Sequence, residues 1–251
     1  MKERFGGIER LYESSGLVKL QQAHVAIIGV GGVGCWAAEM LARAGIGQIT
    51  LIDADEVCVT NINRQVHALN SSVGRSKVVV MAERIKDINP ECEVHAIEQF
   101  YMDSTAEGLL SNNYSYVIDA IDSVKHKVAL LADCKNRQLP VITTGGAGGK
   151  KDPTQLKQTD LAQTQGDRLL KKVRHELRRH YGFKELKKFA IQAIYSDEAM
   201  KLPFCEIDEK KSFRLDCDTG YGTSPTVVSS FGILAADAVI KALLQPKDYR
   251  V

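Results

Sequence analysis

The chain has 251 residues, with 33 Lys+Arg against 31 Asp+Glu, and is 44% hydrophobic and 25% charged. These proportions exclude a disordered, collagen-like or proline-rich chain and a uniformly basic nucleic-acid protein, so any basic surface must be local. The length suits one large domain whose core needs neither disulfides nor structural metal.

The N-terminus, MKERFGGIERLYESSG, is charged and lacks the apolar core of a signal peptide. The expected location is therefore the reducing cytoplasm, with free thiols. His24 to Ile28 reads as a first strand, Val33 to Ala44 has helical spacing, and Gln48 to Asp53 is a second strand. Lys77 to Asn89 is a helix stopped by Pro90, followed by a strand at Glu93 to Ile97. Two more strands, Tyr116 to Asp119 and Val141 to Thr144, flank a helix at Ser123 to Arg137, and the glycine-rich run Gly145 to Gly149 follows. Short apolar runs alternating with helix-period segments predict an α/β fold, a Rossmann-like, mostly parallel sheet with flanking helices. That core spans about residues 20–150, with a basic helical insertion at about 160–212 and a C-terminal strand and helix at about 213–245.

Within the insertion, Arg168 to Lys188 carries nine Lys/Arg against two Glu. Leu169, Leu170, Val173 and Leu177 form one apolar stripe, leaving Lys171, Lys172, Arg174, Arg178 and Arg179 on the remaining faces, either as an ordinary solvated helix face or as candidates for offsetting nucleic-acid phosphates. Thr226 to Leu244 is strongly apolar, but Asp237 and Lys241 leave only 11 uncharged residues before the first charge. A membrane span needs roughly 20. Ser224 as N-cap and Pro225 at the first helical position make this a long buried helix, packed on a sheet or a partner.

Gly29-Val30-Gly31-Gly32-Val33-Gly34 follows a strand and opens a helix, the context in which such glycines let a phosphate approach the helix N-terminus. Asp53 ends the next strand, where its carboxylate can accept ribose hydroxyls. NAD and ATP share these features. Asn61, Arg64, Gln65 and Lys77 favour a triphosphate, because hydride transfer has no use for cations gathered on phosphates while nucleotidyl transfer does. Asp122, at the end of the Tyr116 strand, is then a candidate Mg2+ ligand.

The ordered motifs GVGGVG, DADEV, TNINRQ, GRSKV and DAID resemble the E1-like activating-enzyme superfamily, whose members activate a carboxylate with Mg-ATP. RFGGIERLY, VCVTNINRQVHAL, AERIKDINPEC, YSYVIDAIDSV, TTGGAGGKKDPTQ and LDCDTGYG further resemble its bacterial tRNA-modifying branch, over nearly the whole chain and least in the region 165–212. The resemblance implies ATP-dependent cyclisation, formally a dehydration, of N6-threonylcarbamoyladenosine at position 37 of tRNA. It implies that Gly29, Gly31, Gly32 and Gly34 hold the nucleotide, Asp53 the ribose, and Asn61, Arg64 and Lys77 the phosphates, with Gln65 beside them, while Asp122 holds the metal. Asp55 is expected to fix the loop rather than touch ATP.

Sulfur-carrier activators of the superfamily place a partner-reaching arginine where this chain has Gly7. Arg10 or Arg4 is the available substitute, Arg10 being the candidate catalytic residue, and that role implies a homodimer. Those activators also carry Cys-x-x-Cys pairs for zinc. Here Cys35, Cys58, Cys92, Cys134, Cys205 and Cys217 stand apart, and Cys217, flanked by Asp216 and Asp218, reads as a small buried residue. The competing functions are an adenylating enzyme for a ubiquitin-like or sulfur-carrier C-terminus and an NAD dehydrogenase. Cysteine desulfurases are further partners that the family suggests.

Overall fold

The computed structural model describes residues 2–110, 113–201 and 221–245, so the LDCD segment with Cys217 and the C-terminal strand expected before residue 221 lie outside the described residues. A helical segment α1 (Lys2–Gln22), broken at Glu13 where φ is 64°, precedes β1 (His24–Ile28) and α2 (Gly34–Arg43). β2 (Gln48–Ile52) leads through a loop with two short 3-10 turns into α3 (Lys77–Ile88) and β3 (Glu93–Ile97). A short α4 (Ala106–Leu109), β4 (Tyr116–Asp119), α5 (Val124–Asn136) and β5 (Val141–Thr144) complete the first half.

The sheet continues past residue 150. β6 (Leu156–Asp160), α6 (Arg168–His180), β7 (Gln192–Ser196) and α7 (Pro225–Leu244) follow, giving seven strands in the order β3-β2-β1-β4-β5-β7-β6. All pairs are parallel except β6 with β7. The stretch expected to be a basic helical insertion thus also supplies a strand, β7, buried between β5 and the edge. Its run Ala193 to Ser196 is almost fully buried, as a strand covered on both faces must be.

Helices cover both faces. Leu20 of α1, the small residues Ala37, Ala38 and Ala42 of α2, Met81 and Ile85 of α3, and Phe231, Ala235 and Val239 of α7 pack on one side. Leu109 of α4, Leu130 and Leu131 of α5, and Leu170, Val173 and Leu177 of α6 pack on the other. α7 is long and apolar enough to cross a membrane by length and composition, yet 56% of its most apolar window is buried against α2, α1 and the sheet. Pro225 opens it, as its sequence predicts, but the Ser224 hydroxyl pairs with Thr226 Oγ1 at 2.8 Å rather than capping a backbone N–H.

Because β1 pairs with β2 on one side and β4 on the other, the chain reverses direction across the sheet at that junction. A crevice opens there beyond the carboxyl ends of the strands, where open α/β sheets bind ligands.

Candidate active site

A cavity of about 1360 Å3 occupies this crevice, bounded by the glycine loop after β1, Asp53 after β2, the Ala120–Asp122 segment after β4 and Gly145–Gly148 after β5. The glycine turn is enforced by geometry. Gly29 sits at φ +89°, and a Cβ on Gly34 would overlap the Gly29 carbonyl oxygen. At Gly31 the nearest atom to such a Cβ is Gln65 Nε2 at 4.0 Å, so this glycine leaves room where a phosphate would lie.

Asp53 is buried and braces the turn directly. One carboxylate oxygen accepts the Val30 N–H at 2.7 Å, the other the Asp55 N–H at 2.9 Å. Burial pushes its carboxyl upward, opposed by the Asp55 N–H, Lys77 and the Val30 N–H. Each oxygen keeps a lone pair for a ribose hydroxyl.

Lys77, only 6% exposed, donates to Asp55 Oδ2 at 2.6 Å, and its own N–H donates to the Asp55 carbonyl at 3.0 Å. Asp55 therefore aims Lys77 into the cavity, and the isolated bridge Glu56↔Ser76 holds the two loop segments together. Asn61 Oδ1 accepts the Cys58 N–H at 3.1 Å and closes the 3-10 turn. Arg64 is fixed from both ends. Its guanidinium donates to Thr60 O and Asn63 Oδ1, each at 2.9 Å, and its carbonyl accepts Trp36 Nε1 of α2 at 3.0 Å. Gln65 lines the cavity, and its Oε1 is buried without a partner among the described residues.

Asp122 is exposed in the cavity wall, and its carboxylate has no partner among the described residues. No cluster of three metal-binding side chains exists among those residues. The donor set fits Mg2+ held by one carboxylate together with nucleotide phosphates, and does not fit a protein-only metal cage. Beneath this loop lies a pair that sequence reasoning missed, the fully buried Asp119 and Lys127. Lys127 Nζ donates to Asp119 Oδ2 at 2.8 Å and to Thr143 Oγ1 at 3.2 Å, and the Thr143 hydroxyl donates to the same carboxylate at 2.6 Å. Burial pushes the Asp119 carboxyl up and Lys127 pulls it back. The cluster ties β4, α5 and β5 together, and Asp119 Oδ1 accepts the Ile121 N–H at 3.1 Å, which sets the loop that presents Asp122.

Three further residues reach the cavity that were not among the expected site residues. Lys150 is buried, donates to the Ser196 carbonyl and lies 3.6 Å from Asp167; burial lowers its pKa against the pull of Asp167. Asp167 caps α6 through the Leu170 N–H at 2.9 Å and accepts the Gly146 N–H at 3.0 Å. Arg168 follows at the first position of α6.

The other expected residues divide. Lys172 lines the cavity, whereas Lys171, Arg174, Arg178 and Arg179 do not. Arg174 donates to the Thr164 hydroxyl, and Arg178 stacks over Phe189 at 5.1 Å, so these two have packing roles. Arg10 is exposed on α1 and is absent from the cavity wall, and Arg4 instead docks α1 on α3 through the Ile88 carbonyl at 2.7 Å.

A ThiF family model matches residues 8–250. The tRNA threonylcarbamoyladenosine dehydratase of Haemophilus influenzae is 46% identical over 98% of this chain and 95% of its own length. That of Escherichia coli is 46% identical over 97% and 94%. The crystal structure of the E. coli dehydratase in complex with ATP superposes with a TM-score of 0.88 at 45% identity, covering 96% of this chain and 94% of that one.

Proposed function

This chain belongs to the ThiF family, and from its likeness to the dehydratases named above we propose that it dehydrates N6-threonylcarbamoyladenosine at position 37 of tRNA to the cyclic form, at the expense of ATP. The observation that carries this reading is the cavity itself. One end has the glycine turn and Asp53 to seat a nucleotide, and Lys77 and Arg64 stand beside it already locked in place. The dehydratases named above supply the substrate class, and one of them is seen with ATP.

A carboxylate is a poor electrophile until one of its oxygens can leave. The carboxylate oxygen attacks a phosphorus of ATP, the phosphoanhydride bond at that phosphorus breaks with ADP or pyrophosphate leaving, and the oxygen then carries a phosphate. The nucleophile sits on the same threonylcarbamoyl group, so ring closure needs positioning more than activation. It attacks the carboxyl carbon and gives up a proton as the oxygen departs with the phosphate, and the product is the substrate less one water. Lys77 and Arg64 stabilise the charge that gathers on the phosphates, and their fixed geometry means that little reorganisation is needed at that moment. Asp122 would hold Mg2+ against the same phosphates. If Arg10 acts in catalysis, it does so from a second copy, because it does not line the cavity of its own chain. A homodimer is part of this reading on that ground.

The test is mass spectrometry of nucleosides from threonylcarbamoylated tRNA incubated with the protein and Mg-ATP. Loss of one water is expected with the wild type and not with Asp122→Ala. An unshifted nucleoside despite measurable ATP binding would move the assignment to activation of a protein C-terminus.

A further inference from the structure

The cavity is larger than a nucleotide requires, about 1360 Å3 against roughly 300–1,000 Å3 for ordinary small-molecule sites. Its nucleotide end lies over β2 and β1. Its other end lies over β5 and the first turns of α6. Neighbouring strands are about 4.8 Å apart, so the loop after β5 stands roughly 10 Å along the sheet edge from the glycine loop after β1.

The charges at that second end are not all alike. Asp167 is satisfied by Lys150 and by the N–H groups of Gly146 and Leu170. Glu198 accepts the N–H groups of Lys151 and Asp152, and Asp197 pairs with Lys157 at 2.5 Å. Among the described residues, every acid there already has a donor. Arg168 and Lys172, four residues apart and so on one face of α6, line the same end with neither an ion pair nor a hydrogen bond among the described residues.

We infer that Arg168 and Lys172 bind, inside the cavity, a phosphodiester group flanking the modified nucleotide of the RNA substrate. The inference rests on the dehydratase reading. The reacting carboxylate must meet the nucleotide phosphates over β1 and β4, beside Lys77, Arg64 and Asp122. A nucleoside drawn out of its stack to do so extends along the sheet edge towards β5, and its backbone falls at α6. A guanidinium and an ammonium one turn apart, with no internal partner, suit one diffuse anion there. Lys171 and Arg179, outside the cavity wall, are left to the remainder of the RNA.

The experiment uses the full-length protein and anticodon stem-loop RNA carrying threonylcarbamoyladenosine, made with natural linkages or with one uncharged methylphosphonate on the 5′ or the 3′ side of that nucleotide. The wild type is expected to bind one of the two neutral-linkage RNAs roughly tenfold more weakly than the natural one. The double variant Arg168→Ala/Lys172→Ala should bind the natural RNA about tenfold more weakly and ignore the neutral linkage, with ATP affinity unchanged. Lys171→Ala/Arg179→Ala should keep the discrimination. The inference is overturned if the wild type discriminates at neither linkage, if Arg168→Ala/Lys172→Ala still discriminates, or if that variant loses as much affinity for ATP as for RNA. Failure of the dehydratase reading shows separately, as absence of the water-loss product from natural RNA with wild type and Mg-ATP.

Discussion

Lys77 reaches the cavity under the control of a neighbour. It is buried, and its partner Asp55 is half exposed at 2.6 Å, so the acid's work is to aim the cation. Lys77→Ala should lower kcat/KM by about 10²–10³-fold, the usual cost of losing one fixed stabilising charge or donor. Asp55→Asn, which keeps the cation and loosens it, should cost nearer tenfold, measured as water-loss product per unit time; equal losses would mean that Asp55 itself touches the nucleotide. Behind this pair, His67 is buried with both ring nitrogens unpaired among the described residues, and burial, with Lys77 and Arg84 nearby, lowers its pKa from 6.5 to about 4. The unfolded chain therefore takes a proton below pH 6.5 that the folded chain refuses until about pH 4. Stability is fully present above the unfolded value and falls as pH drops through that window, by up to roughly 3 kcal/mol. His67→Leu should flatten the fall in Tm between pH 6.5 and pH 4.5, and an unchanged acid limb would assign the loss to other groups.

The glycine loop is held at the level of elements by α2 and α7. A Cβ on Gly232 of α7 would overlap the Val33 carbonyl and meet Trp36 Cβ at 2.8 Å. Gly232→Ala should therefore destabilise the protein by about 1–3 kcal/mol and raise the KM for ATP, because Val33 and Trp36 lead directly to the turn and to Arg64; a lower Tm with unaltered KM would show that the turn is insulated from this interface. β1, β2, β4 and β5 were legible because each is an apolar run set off by polar or turn residues, and β3, itself a half-exposed edge strand, because it follows the helix stop at Pro90; the observed bounds agree within a residue. β6 was not, since Leu156–Asp160 is a half-exposed edge strand with a single leucine, and β7 is five residues read against a basic background. α1 was missed because Gly6, Gly7 and Gly16 weaken its pattern; what holds it is tertiary, the burial of Phe5, Leu17 and Leu20 and the bond from Arg4 to α3. The nucleotide end of the site shared the legibility of the first five strands, because its residues sit in contiguous loop motifs. Lys150, Asp167 and Arg168 did not, since they lie beyond the first five strands and the last two come to the cavity through tertiary packing of α6 on α5.

At the scale of the whole molecule, charge is distributed so that a chain of formal net charge +2 still presents a basic element beside its cavity. α6 buries Leu170, Val173 and Leu177 and turns its cations three ways: Arg168 and Lys172 to the cavity, Arg174 and Arg178 onto Thr164 and Phe189, and Lys171 and Arg179 to solvent. The solvent-facing pair, like Arg168 and Lys172, is free to contact RNA phosphate whatever the sequence, and such contacts work by releasing counterions. Affinity for tRNA should therefore fall steeply with salt while ATP affinity, set inside the cavity by fixed donors, changes much less. Each phosphate contact removed flattens the slope of log affinity against log salt by roughly 0.7–0.9. Lys171→Ala/Arg179→Ala should thus flatten it by about 1.5 and leave the KM for ATP unaltered. A slope equal to the wild type would place the body of the tRNA on another face of the protein, and a changed ATP KM would mean that the outer face of α6 is coupled to the nucleotide end of the sheet.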